Sequence, residues 1–195
     1  YTVDQIIRLL AKNGLNTEEQ LLDAAQNNHF DYDFIDNNSK DAGRLEGYLF
    51  PDTYNFYVGG KPELAFSAML SNFKSKVYDS EDFAEDLAAL AEAGQYSLSD
   101  IITIASLIEK ETDGSDRGNI SSVIYNRLEN DGETHFLLQI DAALVYAAGR
   151  PITQTDYTTL NSPYNLYQHT GLHPTPIANT GLASIQAALH PADTG

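Results

Sequence analysis

The chain has 195 residues, 42% of them hydrophobic and 20% charged, which is enough for one ordinary globular domain with a core of its own. Against 28 Asp and Glu there are only 11 Lys and Arg, and the net charge of −17 repels phosphate backbones and anionic headgroups, so nucleic acid is excluded as a natural partner. No cysteine is present, which removes disulfides, thiolate metal sites and a thiol nucleophile, and no apolar run reaches the ~20 residues of a membrane helix. The chain opens at Tyr1 without a charged and then apolar leader, and reads as a soluble segment excised from a longer protein.

Thr2-Val3-Asp4-Gln5 and Thr17-Glu18-Glu19-Gln20 both have capping-box spacing and predict two early helices. In the first, Val3, Ile6, Ile7 and Leu10 fall on one face and Gly14 ends the run; the second carries Leu21, Leu22 and Ala25 inward. Residues 1–43 thus read as a helical entry segment, closed by the polar run 36–41, and residues 44–195 as the main body. Across 46–54 a glycine, a proline and three closely spaced aromatics predict an ordered, packed loop.

Pro62 suits a first helical turn, with Phe66, Met69, Leu70, Phe73 and Val77 following on one face as far as Tyr78. Ser80 caps a second, Ala- and Leu-rich helix that stops at Gly94. Ser97 or Ser99 caps a helix over 97–112 in which Ile101, Ile102, Ile104, Ala105, Leu107 and Ile108 leave almost no polar face, the mark of a central, buried helix. A helix over 119–128, a short strand over 136–140 and a helix capped by Asp141 come next. Residues 153–176 read mainly as loop before a last helix at 182–189, so the fold class is α+β, predominantly helical.

Glu109 is the most informative carboxylate, because it lies late on the most apolar helix with Ala105 and Ser106 one turn back. Half-buried there, it would hold its proton near neutrality, as a glycosidic general acid must. The same pattern is met by Glu109 as simply the first polar residue where the helix leaves the core, and spacing leaves both readings open. Glu111 lies about 200° further around and is expected to point away and act structurally. His169 and His173 have the spacing of two helical metal ligands, but Gly171 and Pro174 argue against helix there. Neither a nucleophile elbow nor a phosphate-cradling loop occurs. Gln139-Ile140-Asp141 and Ser162-Pro163-Tyr164-Asn165-Leu166-Tyr167 have the polar and aromatic make-up of a sugar cleft, and equally of packed, capped loops.

Glu46-Gly47-Tyr48-Leu49-Phe50-Pro51-Asp52-Thr53-Tyr54, Ile104-Ala105-Ser106-Leu107-Ile108-Glu109-Lys110-Glu111-Thr112, Tyr125-Asn126-Arg127-Leu128, Leu138-Gln139-Ile140-Asp141, Ser162 to Tyr167 and Pro176-Ile177-Ala178-Asn179 resemble, in order and spacing, the motifs of the MltG/YceG-like endolytic murein transglycosylases. The resemblance is close from Glu46 to Pro191 and looser before it. It implies a lysozyme-like core with a small strand-bearing lobe and Glu109 as the catalytic acid. Gln139, Asp141, Asn165 and Tyr54 are expected to position glycan close to it. The implied enzyme is extracytoplasmic, held to the membrane by an N-terminal helix and with a LysM-like module between that helix and this region, both outside this chain. The family also usually has a final segment beyond Gly195. Peptidoglycan strands are the implied substrate and cell-wall synthases the implied partners, with no metal or cofactor.

The expected reaction breaks the MurNAc–GlcNAc β-1,4 bond and closes the MurNAc C6 hydroxyl on C1, giving a 1,6-anhydro end. One carboxylate suffices for that, whereas a hydrolase using Asp141 or Asp52 as a second acid, and a non-catalytic glycan-binding module, are the alternatives. The chain departs from the family pattern at Ala142, where many members have Pro, and at His173, Thr175 and Thr180, which replace a Pro, a Gly and a Pro.

Overall fold

The computed structural model describes residues 1–130 and 132–193. In chain order the helices are α1 (Val3–Lys12), α2 (Glu18–Asn27), α3 (Glu63–Phe73), α4 (Glu81–Ala93), α5 (Leu98–Glu111), α6 (Arg117–Glu129), α7 (Asp141–Ala148), α8 (Asp156–Thr159) and α9 (Leu182–Leu189). Both early capping boxes form, with Thr2 and Thr17 accepting the backbone N–H of Gln5 and Gln20 while each glutamine side chain returns the bond. Leu22, expected inside, lies on the solvent side of α2, while Leu21, Ala24 and Ala25 face the core. The helix begun after Pro62 runs as α3 to Phe73 and then widens into a π-helical turn over Lys74–Tyr78, so it reaches the expected end with altered winding.

α5 is the axis of the molecule. Ser97 caps it in a reciprocal box with Asp100, and Ile101 to Ile108 are all buried, including Thr103 and Ser106. The Ser106 hydroxyl donates to the Thr103 carbonyl at 2.7 Å and accepts the Ile177 N–H at 3.0 Å, so this buried polar group is fully used in holding the 176–180 segment against α5. Helices α9, α6 and α7 pack around it, and α1 to α3 extend the same hydrophobic core on the other side. Residues on both sides of the 43/44 boundary contribute to this one core.

Gly47 shows why the 46–50 segment tolerates no side chain at that point. Its φ is +91°, and a Cβ would lie 2.6 Å from both Ile102 Cγ2 and Pro176 Cγ. The loop therefore lies directly on α5, with Leu49 N–H donating to Asn179 Oδ1 at 2.8 Å.

The strand expected over 136–140, and with it the strand-bearing lobe, is absent: among the described residues every regular element is helical. His135, Phe136 and Gln139 have φ of 51°, 63° and 53°, a left-handed backbone that cannot alternate as a strand does. The apolar pattern is met another way. Leu138 and Ile140 are buried, the Leu138 carbonyl accepts from Arg127, and the Gln139 N–H donates to the Leu166 carbonyl at 3.0 Å. Asp141 is the first residue of α7 and Ile140 its N-cap, so Asp141 does not cap the helix and its carboxylate is left for other partners. Among the described residues, α8, in the stretch read as loop, and a short 3-10 turn over Ala42–Leu45 were not expected.

Candidate active site

An open groove of about 1830 Å³ runs along the surface, larger than the ~300–1,000 Å³ of a small-molecule pocket and suited to a polymer segment. Glu46, Glu111, Asp141, Ala142, Tyr146 and Tyr164 are among the residues that line it. Glu111 is the last residue of α5, and α7 presents its N-terminus to it. The Glu111 pKa is raised, first because its surroundings desolvate the carboxylate; the Ala142 N–H opposes this, and the charge of Asp141 adds to the rise. It remains open to solvent on one side. A carboxyl whose pKa is raised beside an open groove is suited to act as a proton donor.

Asp141 accepts two phenolic hydroxyls, Tyr157 at 3.0 Å and Tyr167 at 2.6 Å. Burial, and then this bond and its charge, push the Tyr167 phenol well above its ordinary value, so it stays a donor. Two carboxylates thus share the site, one protonatable and one held by hydroxyl donors.

Glu46 sits deeper in the same groove, 2% exposed. Its carboxylate accepts the Val3 N–H at 3.1 Å, Asn179 Nδ2 at 2.9 Å and the Tyr146 hydroxyl at 3.2 Å, and burial raises its pKa to about 7. This hub ties the start of α1, the 176–180 segment and α7 together. Through α7 it fixes the helix that carries Asp141 and Ala142 toward Glu111.

The expected site residues divide sharply. Glu109 is half-buried on the other side of α5, where its Oε2 accepts the hydroxyl of Ser184 on α9, and Ser184 in turn accepts Arg117 Nε at 3.2 Å. It is not among the residues lining the groove. Asn165 is fully buried: its amide donates to the carbonyls of Tyr157 at 3.2 Å and Leu160 at 3.0 Å, and its Oδ1 accepts the Tyr167 N–H at 3.2 Å. Tyr54 lies outside the groove lining, donating to the Phe50 carbonyl at 2.7 Å, accepting from Asn72 at 2.9 Å and stacking on Phe56. Gln139 is exposed two residues before Asp141, in the left-handed conformation that functional loops often hold. Of the five, only Asp141 lies in the groove beside a second carboxylate, and that partner is Glu111, the residue expected to point away.

Other candidates are absorbed by structure. Asp52 is exposed and pulled below the ordinary carboxylate range by Lys76 at 2.6 Å and Asn72 at 3.0 Å, so it is a poor acid. His173 is buried, with Nδ1 at 2.6 Å from the Thr175 carbonyl and its ring against Tyr164, and burial pushes its pKa down to about 4.

The YceG-like family model matches residues 1–195 in full. The chain belongs to the YceG-like family. Among relatives, it is 40% identical over 153 residues to an endolytic murein transglycosylase of Bacillus subtilis, a match covering 77% of this chain and 40% of that protein. A second endolytic murein transglycosylase, from Streptococcus pneumoniae, is 32% identical over 162 residues, covering 77% of this chain and 27% of that one. This YceG-like chain therefore spans well under half the length of these curated relatives. The crystal structure of a yceG-like protein from Listeria monocytogenes superposes on the whole chain with a TM-score of 0.77 at 31% identity, covering 64% of that structure. Residues of the six motifs meet in space around α5: Gly47 lies against Ile102 and Pro176, Ile177 bonds Ser106, and Arg127 and Leu166 hold the 138–139 turn.

Proposed function

We infer that this domain is the catalytic part of an endolytic murein transglycosylase, acting on the MurNAc–GlcNAc β-1,4 bonds of nascent peptidoglycan and leaving 1,6-anhydro-MurNAc ends. The observation that carries this reading is the pair at the groove: Glu111, its pKa raised by desolvation, beside Asp141 at the N-terminus of α7. The names borne by the B. subtilis and S. pneumoniae relatives support the same chemistry. In this reading the buried α5 delivers its last carboxyl to the cleft, as in lysozyme-like enzymes.

Glu111 gives its proton to the glycosidic oxygen, and the C1–O bond breaks as an oxocarbenium-like sugar develops. Asp141, which accepts two tyrosine hydroxyls, faces that positive charge. The MurNAc C6 hydroxyl then closes on C1, and the Glu111 carboxylate takes its proton, so no water enters the product and the acid is restored. Gln139, exposed at the turn before Asp141, is the remaining expected residue placed to touch glycan. Glu109 holds α5 to α9 through Ser184.

Among the described residues no helix is long and apolar enough to cross a membrane. The domain works outside the cytoplasm within a longer protein, after a LysM-like module and a membrane helix, alongside cell-wall synthases. Digestion of purified peptidoglycan by the full-length protein, followed by mass analysis, tests the reaction: new ends should be anhydro sugars from within strands. Ends one water heavier would establish hydrolysis instead.

A further inference from the structure

Tyr157 and Tyr167 form a built element that the proton-transfer chemistry does not use. Their ring centroids are 4.6 Å apart at an interplanar angle of 90°, an edge-to-face pair, and both rings are half-buried. At the hydroxyl end each is fixed by Asp141, at 3.0 and 2.6 Å. At the backbone end both are fixed by one side chain, the fully buried Asn165, which donates to the Tyr157 carbonyl and accepts the Tyr167 N–H, both at 3.2 Å. Gln168 Nε2 adds a further bond to the Tyr157 carbonyl at 2.8 Å. Such a pair loses little further freedom when something lies on it, which is how a rigid aromatic surface gains affinity.

The two rings are not part of the groove lining but stand next to it: Asp141, the carboxylate both hydroxyls hold, lines the groove with Glu111, and the Glu111 charge is felt at the Tyr167 phenol. Packing alone does not require two phenols on one exposed carboxylate, since a solvated Asp at a helix start is stable without them.

We propose that Tyr157 and Tyr167 are a stacking subsite for one pyranose ring of the glycan strand, adjacent to the bond being cut, with Asp141 and Asn165 as the residues that hold the platform in place. This rests on the transglycosylase reading for the identity of the ligand. A pyranose presents a flat C–H face to an aromatic ring, and its hydroxyls and acetamido group remain free to bond exposed polar groups such as Gln139.

The test is a binding measurement in full-length protein carrying Glu111→Gln, so that cleavage does not consume the probe. The probes are an N-acetylglucosamine hexamer and purified uncrosslinked glycan strands, followed by calorimetry. Tyr167→Ala and Tyr157→Ala should each weaken binding about tenfold, while Tyr167→Phe and Tyr157→Phe, which keep the ring and lose the bond to Asp141, should stay within about threefold of the parent. Ring-proton resonances of both tyrosines should shift when the hexamer is titrated into the protein with both rings intact, a readout that holds even where an Ala variant fails to fold. Binding unchanged in a folded Ala variant, equal losses in the Phe and Ala variants, or ring resonances that do not move would each overturn the subsite. Full cleavage by Glu111→Gln would instead overturn the acid assignment and leave the binding result standing.

Discussion

Replacing Glu46 by Gln tests whether the hub beneath the groove costs the folded protein stability at neutral pH. The carboxyl is 2% exposed, and its pKa rises from an ordinary 4.5 to about 7 because burial disfavours the ion. Moving a pKa by that amount makes the ionised side chain roughly 3 kcal/mol less favourable in the folded protein than in the unfolded one. Below 4.5 both states carry the proton and the cost vanishes. Between 4.5 and about 7 the unfolded chain ionises first, so stability falls as pH rises, and above about 7 the whole cost is present. Gln is neutral throughout and keeps an oxygen for the Val3 and Asn179 donors and an N–H₂ for the Tyr146 oxygen.

The stability of the Gln variant relative to the parent should therefore climb by roughly 3 kcal/mol between about pH 4 and pH 8, measured by urea unfolding of both proteins at each pH. His173 works in the opposite sense, since its pKa falls from 6.5 to about 4 and acid then favours the unfolded chain, but it is present in both proteins and cancels in the difference. A difference that stays flat with pH, or declines, would refute the argument that desolvation dominates at Glu46.

Three further outcomes follow from single contacts. Ala142→Pro, at the second residue of α7 where proline is tolerated, removes the N–H that favours ionised Glu111; the pKa of Glu111 should rise and the alkaline limb of the kcat/KM profile should move to higher pH, whereas a limb that stays or moves down refutes the contact. Asn165→Ala leaves the Tyr157 and Leu160 carbonyls and the Tyr167 N–H without a buried partner and should cost about 2–4 kcal/mol in urea unfolding; an unchanged midpoint would show that water replaces the side chain. Gly47→Ala combines a left-handed φ with close approaches to Ile102 and Pro176 and should cost about 2–5 kcal/mol, or prevent folding; a stable, fully active variant would show that the loop can lift from α5.

The helices were legible because their signals are local. Capping boxes at Thr2 and Thr17, a serine cap at Ser97 or Ser99, and stop signals at Gly14 and Gly94 act within a turn; the structure keeps the boxes and stops and settles the cap on Ser97. The strand reading failed because alternation at Phe136 to Ile140 reports only which side chains are buried, and a loop pinned by Arg127 and Leu166 buries them equally well. The choice between Glu109 and Glu111 was illegible for a related reason. With Ile101 to Ile108 buried all around the helix, α5 has no polar face to show which side borders the groove. That information lies in α7 and α9, which reach Glu111 and Glu109 respectively from more than 30 residues away in the chain. Glu46 and Asn165 were visible as motif residues, but their burial, which decides their roles, is a tertiary fact.

The most direct test of the account is a comparison of Glu111→Gln with Glu109→Gln in the full-length protein, assayed for release of anhydro-ended glycan fragments and checked for equal thermal stability. The groove geometry predicts that Glu111→Gln lowers cleavage by about 10²–10⁴-fold with binding retained, while Glu109→Gln, which keeps an oxygen for the Ser184 hydroxyl, retains most of the activity. A folded Glu109→Gln protein that no longer cuts, beside a Glu111→Gln protein that does, would contradict it.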